Sequence, residues 1–276
     1  MTNEYRKAEG VNWSTLKAIL ESPLAYQHAC VQKDDPTPAM VWGSLIHLHM
    51  LESAEAIAAG AVRVPDEYLT ASGSISTAKA AKEWLASLGD GVIAMTPAQQ
   101  ADVARVLESV LANGDATEWL RTASTTEQPI YWTDAATGIA CKGLPDARGN
   151  GLLLDVKTWA PRGKFSADGF VRDAVQRGYF GQLGYYAAGL EANGERVQRM
   201  GWIVVQSAAP HDVMVLELDA DAVDFAHREA RSALDRLAEW RSEGCPDEGA
   251  APGVTMVSLP RWMRTDHNAT ADDVGF

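Results

Sequence analysis

Leu144-Pro145-Asp146-Ala147-Arg148-Gly149-Asn150-Gly151-Leu152-Leu153-Leu154-Asp155-Val156-Lys157-Thr158 is the stretch on which the reading of this chain turns. Asn150-Gly151 is a strong two-residue hairpin signal. Leu152 to Thr158 after it reads as a very apolar strand. Strand side chains alternate faces, so Asp155 and Lys157 point the same way, from one end of a mostly buried strand. A charge in that position is costly unless it is used. A hairpin through Asn150-Gly151 would bring Asp146 back beside Asp155. Two close carboxylates repel each other and hold a divalent cation, and with oxygen ligands the natural choice is Mg²⁺ or Mn²⁺. A lysine beside that cation can orient or deprotonate a water and stabilise charge on a pentavalent phosphate, which suits phosphodiester hydrolysis. Unaided, so loose a pattern recurs by chance; a turn aspartate at Asp146 and an exposed Asp155–Lys157 pair are the plain alternative.

Working outward, the pattern predicts strands over Glu127–Thr133 and Ile139–Leu144 with a turn at Asp134–Gly138. After the central stretch come a helical run over Ser166–Asn193, strands over Arg199–Gln206 and Val213–Leu218, and an amphipathic helix over Asp221–Ser242. Towards the N-terminus the spacing predicts mainly helices. These are Asn12–His28 with Ser14 as cap, Val41–Leu51 carrying His47 and His49, Ala78–Leu88 with Trp84 and Leu85 inward, and a helix opened by Thr96-Pro97. The apolar stripe of that last helix is Val103, Val106, Leu107, Val110 and Leu111. Arg63-Val64-Pro65 reads as a short extended piece. The expectation is one α/β domain over 1–276: a mainly helical part (1–120), a β-rich core (121–245) and a loop-like tail (246–276).

Charge and composition narrow the function. The formal net charge of −13 does not suit a protein that coats DNA, since phosphate neutralisation supplies most non-specific affinity. Between Lys142 and Gly181, however, seven basic residues (Lys142, Arg148, Lys157, Arg162, Lys164, Arg172, Arg177) face four acids. An acidic body with a basic centre fits an enzyme that gathers DNA into one place. Cys30, Cys141 and Cys245 are odd in number and far apart, so they supply neither a disulfide framework nor a four-thiolate metal site. No stretch approaches the roughly 18 apolar residues of a membrane span, and Met1–Gly10 is too polar for a secretory signal, so the expected location is the cytoplasm.

Six ordered stretches give the sequence a specific resemblance. They are Gly10-Val11-Asn12-Trp13-Ser14 with the run to Ser22-Pro23; Trp42-Gly43-Ser44-Leu45-Ile46-His47; and Glu127 with Ile130-Tyr131-Trp132 and Thr137-Gly138-Ile139. Then come Leu144-Pro145-Asp146 with Asp155-Val156-Lys157-Thr158; Gln182 and Tyr186; and Ser258-Leu259-Pro260-Arg261-Trp262. Together they resemble the C-terminal nuclease domain of the RecE (exodeoxyribonuclease VIII) family and its phage relatives, within the RecB-like PD-(D/E)XK nucleases. The resemblance implies a central mixed β-sheet flanked by helices, with Asp146, Asp155, the Val156 carbonyl and His47 as ligands to Mg²⁺, for which Mn²⁺ may substitute. Lys157 would act on the attacking water and Glu127 would be a metal-associated carboxylate. Gln182 and Tyr186, one helical turn apart, would position the lysine or DNA. Arg162, Lys164, Arg172 and Arg177 are candidate phosphate contacts, with a solvated face the equal alternative. His47 read alone would be a core histidine, and His49 is taken as structural. The implied activity is a processive 5′→3′ exonuclease on double-stranded DNA ends. It would leave 3′ single strands for a RecT-type annealing partner and work as a toroidal homotetramer with no membrane. A chain starting so near the nuclease domain would be a minimal enzyme. Another end-processing or flap nuclease, or a non-catalytic DNA-end or protein-binding module, are the competing readings.

Overall fold

The computed structural model describes residues 3–32, 35–246, 254 and 256–258. The terminal match Leu259-Pro260-Arg261-Trp262 lies outside the described residues. The N-terminal part holds α1 (Asn3–Lys7), α2 (Trp13–Leu16), a 3₁₀ turn (Lys17–Leu20), α3 (Pro23–Val31), α4 (Pro38–Leu51) and α5 (Ala54–Gly60). It continues with β1 (Ala61–Arg63), α6 (Lys79–Ser87), β2 (Ile93–Met95), α7 (Pro97–Ala112) and α8 (Gly114–Thr122). After these come β3 (Thr125–Thr126), β4 (Ile130–Thr133), β5 (Ala140–Gly143), β6 (Ala147–Gly149) and β7 (Leu152–Trp159). The chain then runs through α9 (Ala167–Arg177), α10 (Tyr179–Ala192), β8 (Arg199–Gln206), β9 (Val213–Glu217) and α11 (Ala220–Ser242).

The Asn150-Gly151 turn forms as its residue types demand, with φ of 49° and 80°. It pairs β6 antiparallel to β7, from Gly149↔Leu152 to Ala147↔Leu154. Among the described residues the main sheet is mixed and five-stranded, in the order β3-β6-β7-β8-β9, with β7 and β8 parallel. That parallel step needs a long crossover, which α9 and α10 supply. β4 and β5 make a hairpin of their own, and β1 and β2 a short parallel pair.

Alternation along β7 and β8 builds a core on each face of the sheet. Leu153, Met200, Trp202 and Val204 pack towards α10, α11 and the N-terminal residues Trp13, Leu16 and Ile19. Leu152, Leu154, Val156, Ile203 and Val205 pack towards Leu45 and Ile46 of α4, Val103 and Val106 of α7, and Trp119 of α8. Each fully buried aliphatic side chain contributes about 1.5–3 kcal/mol. α10 and α11 meet so closely at Gly184 that an added Cβ would lie 2.2 Å from the Ala226 carbonyl oxygen.

Several local expectations are corrected. Asn12, not Ser14, caps α2, accepting the Thr15 amide at 3.0 Å, and the Ser14 hydroxyl donates to the same Oδ1. The Asn12–His28 run is interrupted because Ser22 caps a new helix with Pro23 in its first turn. The Ser166–Asn193 run divides at Gly178, whose φ of 69° ends α9 and starts α10. The strand expected from Glu127 begins at Ile130, with Glu127 itself left-handed at φ 47°. Leu111 is 72% exposed, because Val103, Val106 and Val110 already form the inner stripe of α7. Trp84 and Leu85 are only half-buried; Ala81 is the inward residue, and Trp84 stacks on Tyr68 with ring centroids 5.4 Å apart. The sequence pattern predicts none of α1, α5, β2, β3 and α8.

Lys142, counted above in the basic segment, is buried on β5. Its ammonium donates to the carbonyls of Ala8 at 2.6 Å and Tyr5 at 3.1 Å, so it anchors the end of α1 instead of facing a polyanion. Among the described residues no helix is long and apolar enough to cross a membrane.

Candidate metal and catalytic site

The site is built where β6 stops and β7 continues. Pairing ends at Ala147↔Leu154, so Val156 has no backbone partner on that side. Side chains take the missing strand's place. Asp146 Oδ2 accepts the Val156 amide at 2.7 Å, and His47 Nε2 donates to the Val156 carbonyl at 2.8 Å. His47 comes from α4, which packs on the Leu154 and Val156 face of the sheet. Glu127 follows β3 directly, and its amide donates to the Asp146 carbonyl at 3.0 Å. Its left-handed backbone, costing on the order of 1–3 kcal/mol at a non-glycine residue, turns it out of the sheet at the site.

His47 Nδ1 then lies 3.5 Å from Asp146 Oδ1 and 4.0 Å from Glu127 Oε1. The ligand atoms of His47, Glu127 and Asp146 all fall within 4.8 Å of one another. Burial, followed by the Asp146 charge, pushes the Glu127 carboxyl up to about 7. Burial works against the His47 imidazolium, but Asp146 outweighs it by charge and hydrogen bond and raises the ring to about 9. Asp146 is held below the usual carboxylate range, since His47 and Lys157 outweigh its burial.

On the other face of β7 the paired charges meet α10. Lys157 Nζ is 2.6 Å from Asp155 Oδ2 and donates to Gln182 Oε1 at 3.0 Å. Gln182 Nε2 in turn donates to the Tyr186 hydroxyl at 3.1 Å. The Tyr179 ring, one turn before Gln182, lies under the Lys157 ammonium at 4.5 Å. Lys157 meets Asp155 as a short ion pair, and neither buried Asp155 oxygen accepts a hydrogen bond from any other group among the described residues. Burial pushes Asp155 up to about 6 against the pull of Lys157, and Asp155 and Asp146 hold Lys157 above its ordinary value despite burial.

A buried carboxylate whose oxygens accept no hydrogen bond is costly even beside a cation. Asp155, ion-paired with Lys157 but accepting no hydrogen bond, together with a histidine and two carboxylates already gathered, fits a divalent cation with oxygen and nitrogen ligands. His47, Asp146 and Glu127 form the close set; Asp155 stands outside it, on the lysine side. The Val156 carbonyl is engaged by His47 and keeps one lone pair for a further partner. His49 Nδ1 donates to Leu45 O within its own helix, and Tyr185 is buried with its hydroxyl on the Val11 carbonyl, so neither reaches the site. Arg162 and Lys164 lie exposed on the loop after β7, and Arg172 and Arg177 lie exposed on α9. None of the four bonds a site residue. Tyr179 was missed, although its three-residue spacing from Gln182 places both on one helix face.

A fold with this sheet and these residues at its broken edge is the PD-(D/E)XK arrangement. Residues 12–249 match the model of the family described as a PDDEXK-like domain of unknown function (DUF3799), and the chain belongs to that family. Among solved structures, an exonuclease candidate from Eubacterium rectale is similar with a TM-score of 0.59 at 15% identity, over 90% of this chain and 88% of that one. The alkaline exonuclease LHK-Exo from Laribacter hongkongensis matches with a TM-score of 0.27 at 12% identity, over 62% of this chain and 87% of that one. Among curated proteins no sequence matches this chain.

Proposed function

We propose that this chain is a metal-dependent exonuclease that degrades one strand of linear duplex DNA 5′→3′ and leaves 3′ tails for recombination by strand annealing. One observation carries the reading: Lys157, braced by Asp155 and Gln182, stands across β7 from the His47–Glu127–Asp146 cluster. That is the pairing of base or orienting group with metal ligands that phosphodiester hydrolysis needs.

When bound, Mg²⁺ or Mn²⁺ supplies the positive charge that stabilises a pentavalent phosphate. His47, Glu127 and Asp146 would hold it, with Asp155 supplying an oxygen from the lysine side. Lys157 would orient or deprotonate the attacking water and stabilise the negative charge on the phosphate. Gln182 and Tyr179 fix the lysine's direction. Arg162, Lys164, Arg172 and Arg177, exposed on the segment that leaves β7, would hold the duplex by its phosphates. The exonuclease description of the Eubacterium rectale relative agrees with action at ends. The RecE resemblance supplies direction, the ring-shaped homotetramer and the RecT-type partner, and a ring would keep an acidic protein on DNA by topology.

The test is a linear duplex labelled at either the 5′ or the 3′ end and digested with Mg²⁺. Early release of the 5′ label with retention of the 3′ label is expected. Release of the 3′ label first, or internal cuts in flapped substrates alone, would replace this reading with another end-processing nuclease.

A further inference from the structure

The helix that braces Lys157 starts without a cap of its own. α10 begins at Tyr179, and Gly178 at its N-cap position has no side chain to accept an amide of the first turn. Glu229 of α11 does so instead, across 48 residues of chain: its Oε2 accepts the Gly181 amide at 2.7 Å. The carboxylate also lies at the helix end where the dipole favours an anion.

Glycines make this approach possible. Gly181 and Gly184, three residues apart on α10, meet Glu229 and Ala226, three apart on α11. A Cβ at Gly181 would lie 2.8 Å from Glu229 Oε2 and overlap the Trp13 ring, and one at Gly184 would collide with the Ala226 carbonyl. Trp13 holds the same junction by donating Nε1 to the Gly178 carbonyl at 2.7 Å. The turn fixed in this way is the one that touches the lysine. Tyr179 supplies the ring beneath Lys157, and Gln182 accepts from its ammonium at 3.0 Å. Gly181 lies between those two residues, so the amide that Glu229 holds belongs to the turn that aims both.

We propose that Glu229 is a positioning residue for Lys157. By accepting the Gly181 amide it sets the first turn of α10, and with it the Tyr179 ring and the Gln182 side chain, where the lysine needs them. The inference rests on the exonuclease reading, and Glu229 acts through α10 and not on the substrate.

The experiment measures kcat and KM on linear duplex with Mg²⁺ for wild type, Glu229→Gln, Glu229→Asp and Glu229→Met, each assayed well below its own Tm. Glu229→Gln keeps the reach of the acceptor and loses the charge; Glu229→Asp keeps the charge and falls one methylene short; Glu229→Met keeps the length and loses both oxygens. Small misplacements of a catalytic group are costly, so kcat should stay within about twofold for Glu229→Gln, fall about threefold for Glu229→Asp and roughly tenfold for Glu229→Met, with KM unchanged. In a Gln182→Leu background, where the link to the lysine is already cut, Glu229→Met should cost under about threefold. The reverse order, with Glu229→Asp equal to wild type and Glu229→Gln impaired, would overturn the assignment in favour of the charge, and this comparison decides even if Glu229→Met does not fold. A folded Glu229→Met with wild-type kcat, a loss confined to KM, or the same loss in both backgrounds would also overturn the Glu229 assignment alone. A wild-type protein that cuts no duplex would overturn the exonuclease reading and this inference with it.

Discussion

The Asp146 carboxylate occupies the place of a missing strand, its Oδ2 accepting the Val156 amide at 2.7 Å just beyond the last β6–β7 backbone pair. One side chain thus closes the sheet edge and offers its other oxygen to the metal cluster. The two duties separate by substitution. Asp146→Asn keeps an acceptor for the amide and loses the charge, so Mn²⁺ affinity should collapse while unfolding changes little. Asp146→Ala also strands a buried amide and should unfold about 1–3 kcal/mol more easily than Asp146→Asn. Urea unfolding and Mn²⁺ titration of the two variants check this, and equal stabilities would remove the structural duty.

Gln182 is the hinge between Lys157 and Tyr186, accepting from one and donating to the other. Gln182→Leu should lower kcat roughly tenfold with KM little changed, since it loosens the lysine without touching the DNA-facing cations. A KM effect with kcat intact would place Gln182 in DNA binding instead.

Protons and metal compete in this site. Folding raises Glu127 to about 7, Asp155 to about 6 and His47 to about 9, so each binds its proton more tightly in the native state. Their contribution to stability is therefore lost as pH rises. The carboxylates lose theirs between the ordinary carboxylate range and about pH 7, and His47 loses its own from its ordinary 6.5 up to about 9. Asp146, held low, has the opposite sign and matters only in acid. Metal ligands must be deprotonated, so a bound cation reverses the trend. The metal-free Tm should fall from about pH 5 to about pH 9, and the rise in Tm on adding Mn²⁺ should grow over that interval. A metal-induced rise that ignores pH would contradict these ligands.

Lys142 tests burial against charge. Its ammonium is spent on the Tyr5 and Ala8 carbonyls, so Lys142→Met should cost about 1–3 kcal/mol of stability and leave DNA affinity unchanged. A loss of DNA affinity without a loss of stability would return it to the basic face.

What could be read in the sequence was what is decided locally. Asn150-Gly151 sets the hairpin, the hairpin sets the register, and the register returns Asp146 to β7. Gln182 and Tyr186 share a helix face by spacing alone. What escaped was decided at a distance. Lys142 carries the same charge whether buried or exposed, and only the packing of α1 on β5 reveals which. Tyr179 gains its place beneath Lys157 at a helix junction that exists because Gly178 is left-handed. Glu127 was read as strand because its neighbours are, whereas its use depends on leaving the strand. Asp155 is buried beside Lys157 at 2.6 Å, a contact that the alternation along β7 already predicts.

The central claim is metal-dependent hydrolysis from DNA ends by the residues along the edge of β7. It is tested most directly by acid-soluble nucleotide release from linear and covalently closed circular duplex, with Mg²⁺ or with chelator, by wild type and Lys157→Ala. Release from the linear form alone, abolished by chelator and cut by roughly 10²–10⁴-fold in Lys157→Ala, is the predicted result. Folded wild-type protein that degrades neither form with Mg²⁺ or Mn²⁺, or that acts equally well without Lys157, would contradict it.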